Sequence, residues 1–171
     1  MDGDWLRRIR GGWRGLERRH LAEGAVAGLG GAIAIAAMEW SSQLTHTPLG
    51  AIPFATSIVL VIGSPDAEAA QPRALVGGHI LSTLVGIAVL AVAGPHAWAA
   101  ATAVGLAILA MYLTNTFHPP AGIDPLLVVS QNLAWTFLIA PVALGAVLLT
   151  LFAWVWHRWL RRRPWPRRCW L

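Results

Sequence analysis

Residues 118–125 read His-Pro-Pro-Ala-Gly-Ile-Asp-Pro, and residues 46–53 read His-Thr-Pro-Leu-Gly-Ala-Ile-Pro. Both follow the pattern His-x-Pro-x-Gly-x-x-Pro, at an offset of 72 residues. Each copy follows an apolar segment and precedes a short apolar segment, a polar stretch and a further apolar segment. We therefore predict an internal two-fold repeat of helix, broken loop, half-helix and helix.

The prolines and the glycine of each copy interrupt a helix and release backbone amides and carbonyls, which are costly in lipid unless protein buries them. Asp124-Pro125 is typical of an N-cap followed by a first-turn proline, and Pro53 would similarly open the segment 54–62. We expect each copy to be a re-entrant loop whose half-helix begins inside the membrane zone. Helix N-termini favour anions, and paired interrupted segments in two halves of a chain point to a transporter's binding site.

The composition indicates a membrane protein and excludes a water-soluble globular domain. Of the 171 residues, 56% are hydrophobic and 12% are charged, against about 25% charged in an average soluble domain. All 13 basic residues are arginine, so Schiff-base chemistry on a lysine is excluded. The single cysteine, Cys169, excludes internal disulfides, zinc fingers and a CxxC redox motif.

Three runs without charged residues give the membrane spans, namely 40–65, 74–123 and 125–157. A crossing helix needs about 20 apolar residues, so the second run must turn back once, at Gly94-Pro95-His96. We predict an all-α membrane protein with four transmembrane helices, at about 21–40, 74–94, 97–116 and 133–157. The segments 51–63 and 125–130 are too short to cross unaided.

Arginine predicts the orientation. Residues 1–20 and 158–171 hold twelve of the thirteen arginines, so we expect both to be cytoplasmic basic segments of a protein in the bacterial inner or plasma membrane. The transmembrane domain is then 21–157, with repeat 1 at about 21–94 and repeat 2 at about 97–157. A cleaved signal peptide is an open alternative for the first span. The arginine- and tryptophan-rich tail favours contact with the headgroups of the lipid bilayer and not with nucleic acid.

Two topologies keep both termini on one side. With four crossings the two repeats are parallel, and both broken loops enter from the non-cytoplasmic face. If the short segments cross fully, the count is six and the repeats are inverted. We favour four, because the segment 126–130 is too short to span.

The loop Phe117-His118-Pro119-Pro120-Ala121-Gly122 resembles the signature of the HPP family of integral membrane proteins. The stretches 53–57, 63–65, 70–73 and 77–79 resemble further motifs of the family, and the resemblance extends from about Trp40 to His157. It implies four transmembrane helices and, as for some members, nitrite transport. Many members have Ala-Thr where this chain has Ile123-Asp124.

The candidate residues for substrate binding or translocation lie in the two loops and in the helices that follow the first loop. They are His46, Pro48, Gly50, Pro53, Thr56, Ser57, Arg73, His79, His118, Pro119, Pro120, Gly122, Asp124 and Pro125.

Each polar candidate also has a structural interpretation. His118 and its repeat mate His46 could donate to an anion, carry a proton or bind loop carbonyls. Arg73 suits a planar oxyanion, but it could instead pair with nearby acidic residues at the surface. His79 could relay a proton or form an interhelical hydrogen bond. Thr56 and Ser57 could contact a ligand or bond back to their own helix.

Three further expectations concern packing and charge. Asp124 would repel an anion, and we favour its use as the helix cap. The spacing of Gly78, Ser82 and Gly86 predicts a face on which another backbone packs closely. His157, at a helix end, is expected to be solvated.

We predict a transporter or channel for a small inorganic anion such as nitrite, with no metal, cofactor or catalytic residue. The alternative is a non-transporting membrane scaffold or ligand sensor. An intramembrane enzyme is disfavoured, because the histidines are dispersed and the sequence suggests no Ser/His/Asp or Cys/His arrangement. One protomer has few helices with which to enclose a path, so a homo-oligomer is an open alternative.

Overall fold

The computed structural model describes residues 18–45 and 51–167 of the chain. Within these ranges there are six α-helices and no β-strand. The helices are α1 (Arg18–Thr45), α2 (Ala51–Gly63), α3 (Pro72–Ala93), α4 (Ala97–Leu113), α5 (Ile123–Ser130) and α6 (Leu144–Val155). Short 3₁₀ turns precede α3 and α5, at Glu68–Ala70 and Pro119–Gly122, and π-helical turns flank α6 at Leu138–Ala143 and Trp156–Leu160.

Proline and glycine lie at the starts, turns and interruptions of the helices, as predicted. Gly94 has φ 74°, a conformation that glycine adopts at little cost, and it joins α3 to α4 at the predicted turn. Pro125 lies in the first turn of α5, and Pro53 lies near the start of α2. Pro141 interrupts the helix that leads into α6, because Ala140 before it is extended, with φ −135° and ψ 120°.

Three of the four predicted spans are long and apolar enough to cross a membrane, among the described residues: His20–Gln43, Pro72–Ala93 and Leu138–Leu160. The fourth, Ala97–Leu113, has 17 residues and is shorter than the predicted 97–116. Helices α2 and α5 have 13 and 8 residues, or about 20 Å and 12 Å, against an apolar layer of about 30 Å.

Large apolar side chains cover the outside of the bundle. Val92 is 91% exposed, Leu113 79% and Val59 69%. A soluble protein would bury such side chains, whereas lipid tails accept them. This surface is that of an integral membrane protein.

Polar contacts bring four helix ends together. Arg163, after α6, donates to Glu23 near the start of α1 at 2.8 Å. Arg167 pairs with Asp66, between α2 and α3, at 2.8 Å, and its backbone amide donates to Gln71 at the start of α3. We call this part of the bundle, defined by these five residues, the arginine end.

The direction of the chain therefore alternates. Helices α1 and α3 begin at the arginine end, and α2 and α6 finish there. In the parallel arrangement, which we favour from the sequence, α1 and α3 would begin at opposite ends. Here both begin at the arginine end, which is the direction that the inverted alternative gives them.

Close contacts at glycines hold α2 and α6 in place. A Cβ on Gly145 of α6 would lie 2.6 Å from the ring of Phe54 on α2, and a Cβ on Gly30 of α1 would lie 2.5 Å from Trp156. Because no side chain intervenes, the aromatic rings fill the core against bare backbone. This packing fixes the face of α2 that carries Ser57.

Candidate functional site

The small-residue face of α3 receives the second broken loop. A Cβ on Gly78 would lie 2.7 Å from Cβ of His118 and 2.9 Å from the carbonyl oxygen of Thr116. A Cβ on Gly86 would lie 2.7 Å from Cα of Pro125. The predicted close packing at this face is confirmed, and its partner is the loop 116–125.

This packing buries two histidines and one serine next to each other. Oγ of Ser57 lies 2.9 Å from Nε2 of His79 and 2.9 Å from Nε2 of His118. The two imidazole centroids are 5.1 Å apart, and the ring of Phe54 packs on His79 at 4.6 Å. All three polar side chains have no exposed surface.

Asp124 extends the same cluster. Its Oδ2 lies 2.7 Å from Nδ1 of His79, and the hydroxyls of Ser82 and Thr83 lie 3.3 Å from it. These hydroxyls have closer acceptors at 2.8 Å, the carbonyl oxygens of Ala121 and His79. His79 is therefore the main partner of the carboxyl group. We call Ser57, His79, His118 and Asp124 the buried cluster.

The prediction that Asp124 caps α5 is wrong. The helix begins at Ile123 after Gly122 as its N-cap, and no side chain bonds to its first amides. Asp124 lies two positions after the N-cap, inside the first turn, and its carboxyl group turns toward α3. The sequence does not show that the loop packs against α3, where His79, and not a backbone amide, is the hydrogen-bond partner of the carboxyl group.

Hydrogen-bond chemistry fixes where the protons lie when His118 is neutral. Its Nδ1 lies 2.6 Å from the carbonyl oxygen of Ala69, which only accepts, so this nitrogen is the protonated one. Nε2 of His118 then accepts from Ser57. A serine hydroxyl has one proton, so Nε2 of His79 donates to Ser57. The remaining proton is shared between Nδ1 of His79 and Asp124.

The cluster contains a Ser-His-Asp arrangement that the sequence analysis did not find. Its members are separated by 22 and 45 residues along the chain, and no spacing signal links them. In a hydrolytic triad the serine donates to the histidine that the carboxylate orients. Here Ser57 donates instead to His118, and no surface of the serine is exposed.

Over residues 18–45 and 51–167, no group of three or more His, Cys, Asp or Glu side chains converges as metal ligands would. One oxygen of the cluster, Oδ1 of Asp124, is buried without a hydrogen-bond partner among the described residues.

The other predicted residues lie around the cluster or away from it. Pro119, Pro120 and Gly122 form the 3₁₀ turn that carries the loop, and Pro53 and Pro125 are buried in first turns. Thr56 is exposed, on a different face of α2 from Ser57. Arg73 donates to the carbonyl oxygen of Thr114 at 2.8 Å, outside the cluster. His46, Pro48 and Gly50 lie outside the described residues.

His157 is not solvated, contrary to the prediction. It is fully buried, and Nε2 donates to the carbonyl oxygen of Val61 at 2.9 Å, while the ring packs on Trp165. The flanking arginines suggested a surface position. The π-helical turn at Trp156–Leu160 rotates the ring toward the end of α2 instead.

Two cavities lie on either side of the buried cluster. The arginine-end cavity, of about 280 Å³, reaches the backbone that accepts from His118 and is lined by Glu68, Ala69, Ala74, Tyr112, Asn115 and Phe117. The opposite cavity, of about 150 Å³, is lined by Ile52, Pro53, Leu127, Gln131, Leu133, Phe137 and Pro141. Pro53 lies one turn before Ser57, and Leu127 lies one turn after Asp124.

Apolar helices around one buried polar cluster define an integral membrane protein. Its family is established by comparison: the family model of the HPP transmembrane region matches residues 16–166, and the chain belongs to the HPP family.

Relatives in the slime mould Dictyostelium discoideum agree with this assignment. Two proteins named only as transmembrane proteins are 38% and 36% identical over 125 residues, or 68% of this chain. The match covers 40% and 44% of their lengths, so the chain spans less than half of the curated relatives it matches. No solved structure matches the chain significantly.

Proposed function

We propose that this protein is a multi-pass membrane transporter or channel for a small inorganic anion such as nitrite. The observation that carries the proposal is the buried cluster, with four hydrogen-bonding side chains and no exposed surface inside an apolar bundle. Ionisable groups at such depth are costly and mark substrate or proton pathways. His79 lies seven residues into α3, about 10 Å from its start, well below the surface of the bundle.

The path runs between the two cavities and past the buried cluster. At the arginine end the substrate meets Arg73, whose guanidinium suits a planar oxyanion. The loop 118–125 then offers His118 of the buried cluster, while the first amide of α5, that of Ile123, already donates to the carbonyl oxygen of Pro120. The carboxyl group of Asp124 does not repel the anion there, because it shares a proton with His79.

In this proposal each short helix is the half-helix of a broken crossing, since α2 leads toward the arginine end where α3 begins. The long helices also cross the bilayer, and both termini lie in the cytoplasm. The bundle needs no cofactor and performs no covalent chemistry. A homo-oligomer would thicken the wall around the path. A non-transporting ligand sensor remains the second candidate, since a buried cluster with a surface cavity could also bind an anion without flux.

The test is anion uptake into liposomes that hold the purified chain, with nitrite, nitrate, formate and chloride compared and empty liposomes subtracted. We expect saturable uptake of at least one planar oxyanion and a loss of uptake in His118→Ala and Arg73→Ala. His96→Ala and Arg158→Ala, both at exposed positions, are the matched controls. Unchanged flux in both test variants would remove the proposed ligands, and saturable binding without flux would favour the sensor.

A further inference from the structure

We propose that the buried cluster is a proton relay that couples anion movement to a proton. The relay runs from Asp124 through His79 and Ser57 to His118. This inference rests on the proposed function and names its driving force. The substrate class is then the anion of an acid that moves together with one proton.

The hydrogen bonds of the buried cluster form a continuous chain. Three contacts of 2.7, 2.9 and 2.9 Å join the four side chains in series, and each intermediate group both accepts and donates. Helix packing alone would be satisfied by one such contact. A series of groups that can each pass a proton is what a proton relay requires.

This chain of hydrogen bonds has a direction and two distinct ends. One end is Oδ1 of Asp124, buried without a partner among the described residues. The other is Nδ1 of His118, which donates to Ala69 at the wall of the arginine-end cavity. Water in that cavity would receive the released proton.

The proton moves along the chain of hydrogen bonds in single steps. Asp124 gives its proton to Nδ1 of His79, whose Nε2 proton passes to Ser57, whose own proton passes to Nε2 of His118. When the bond from His118 to the carbonyl oxygen of Ala69 opens, His118 releases its Nδ1 proton to water in the arginine-end cavity. Asp124 takes up a new proton at Oδ1 from water in the opposite cavity. His79, Ser57 and His118 each keep their number of protons, and ring and hydroxyl rotation resets the direction.

Within the part of the chain that the structure describes, few other ionisable groups face the relay. Helix α2 contributes only Ser57, α3 contributes His79 with the hydroxyls of Ser82 and Thr83, and the loop with α5 contributes His118 and Asp124. Glu68 lines the cavity at the exit, and Arg73 lies beside it. The relay therefore depends on the protons of the buried cluster itself.

Ser57 is the member that discriminates this proposal from an ion-pair or packing role. Ser57→Ala keeps both histidines and Asp124 but breaks the series in the middle. Ser57→Cys keeps a proton-bearing group of similar size. Ser41→Ala, where the serine bonds back to Ala37 of its own helix, is the matched control.

The experiment uses the full chain in liposomes with a pH-sensitive dye inside, and measures nitrite accumulation with and without a pH gradient of one unit. Coupling to one proton supports about tenfold accumulation per pH unit. We expect wild type and Ser41→Ala to accumulate the anion and to move protons with it. Ser57→Ala should lose gradient-driven accumulation but retain exchange of labelled for unlabelled nitrite at equal pH, and Ser57→Cys should retain part of the accumulation.

The outcomes separate the two proposals. If wild type moves no anion under any condition, the proposed function fails. If wild type moves the anion without regard to the pH gradient, or if Ser57→Ala accumulates it as wild type does, the relay is refuted and the transporter stands. Should Ser57→Ala fail to reconstitute, gradient-driven uptake by wild type in D₂O decides: the relay predicts slower uptake than in H₂O with equal exchange, and equal uptake refutes it.

Discussion

Replacing Gly78 by alanine is expected to push the loop 116–125 away from α3. The new Cβ would lie 2.7 Å from Cβ of His118 and 2.9 Å from the carbonyl oxygen of Thr116. Carbon atoms in contact prefer about 3.5–4.0 Å, so the loop must move by nearly an ångström. Overpacking of this kind costs about 1–3 kcal/mol.

Gly105→Ala is the matched control for the effect that replacing glycine by alanine has on helix stability. Alanine favours a helix over glycine by about 1 kcal/mol, so both Gly78→Ala and Gly105→Ala gain this amount. A Cβ on Gly105 meets nothing within 4 Å. The two variants should therefore differ in unfolding free energy by about 1–3 kcal/mol, with Gly78→Ala the less stable.

The assay is thermal unfolding of the purified variants in the same detergent, followed by anion uptake after reconstitution. We expect Gly78→Ala to unfold at a lower temperature than Gly105→Ala and to lose uptake, because His118 is displaced. Equal unfolding temperatures for the two variants would show that the loop does not lie against α3.

The contacts of Arg73, His157 and Ser57 give one further prediction each. Arg73→Gln should change the unfolding free energy by no more than about 0.5 kcal/mol, since the bond from Arg73 to a carbonyl oxygen is exposed. It should nevertheless reduce anion uptake, because the substrate loses its contact at the arginine-end cavity. Denaturation and flux measured on one preparation would check both. His157→Phe leaves the carbonyl oxygen of Val61 without its donor and should lower the free energy of unfolding by about 1–3 kcal/mol. The same denaturation assay measures this, and an unchanged midpoint would place the ring of His157 in solvent. Ser57 should resist a fluorophosphonate probe, because it is fully buried and donates to His118; labelling that Ser57→Ala abolishes would instead support a nucleophile.

The sequence predicts the composition of the fold better than its arrangement. Proline and glycine locate the breaks at Gly94, Pro125 and Pro141, because their backbone chemistry acts locally. The directions of the repeats are not local. Arginine counting requires an even number of crossings, which four and six both satisfy, and the direction of each helix is seen only from the contacts at the arginine end.

The candidate site follows the same division. Ser57, His79, His118 and Asp124 each stand out as polar residues in apolar surroundings. Their association does not, because it depends on the loop packing against Gly78. That glycine predicts a close approach but not its partner, so Asp124 is mistaken for a cap and the Ser-His-Asp arrangement is missed.

The most direct test of the buried cluster is ¹⁵N NMR of histidine-labelled protein in lipid nanodiscs, with His79 and His118 assigned by substitution with glutamine. We predict that neutral His118 carries its proton on Nδ1 and that Ser57→Ala shifts the signals of both rings, while the exposed ring of His96 is unaffected. Signals of His79 and His118 that match a freely exchanging imidazole, or that ignore Ser57→Ala, would contradict the account.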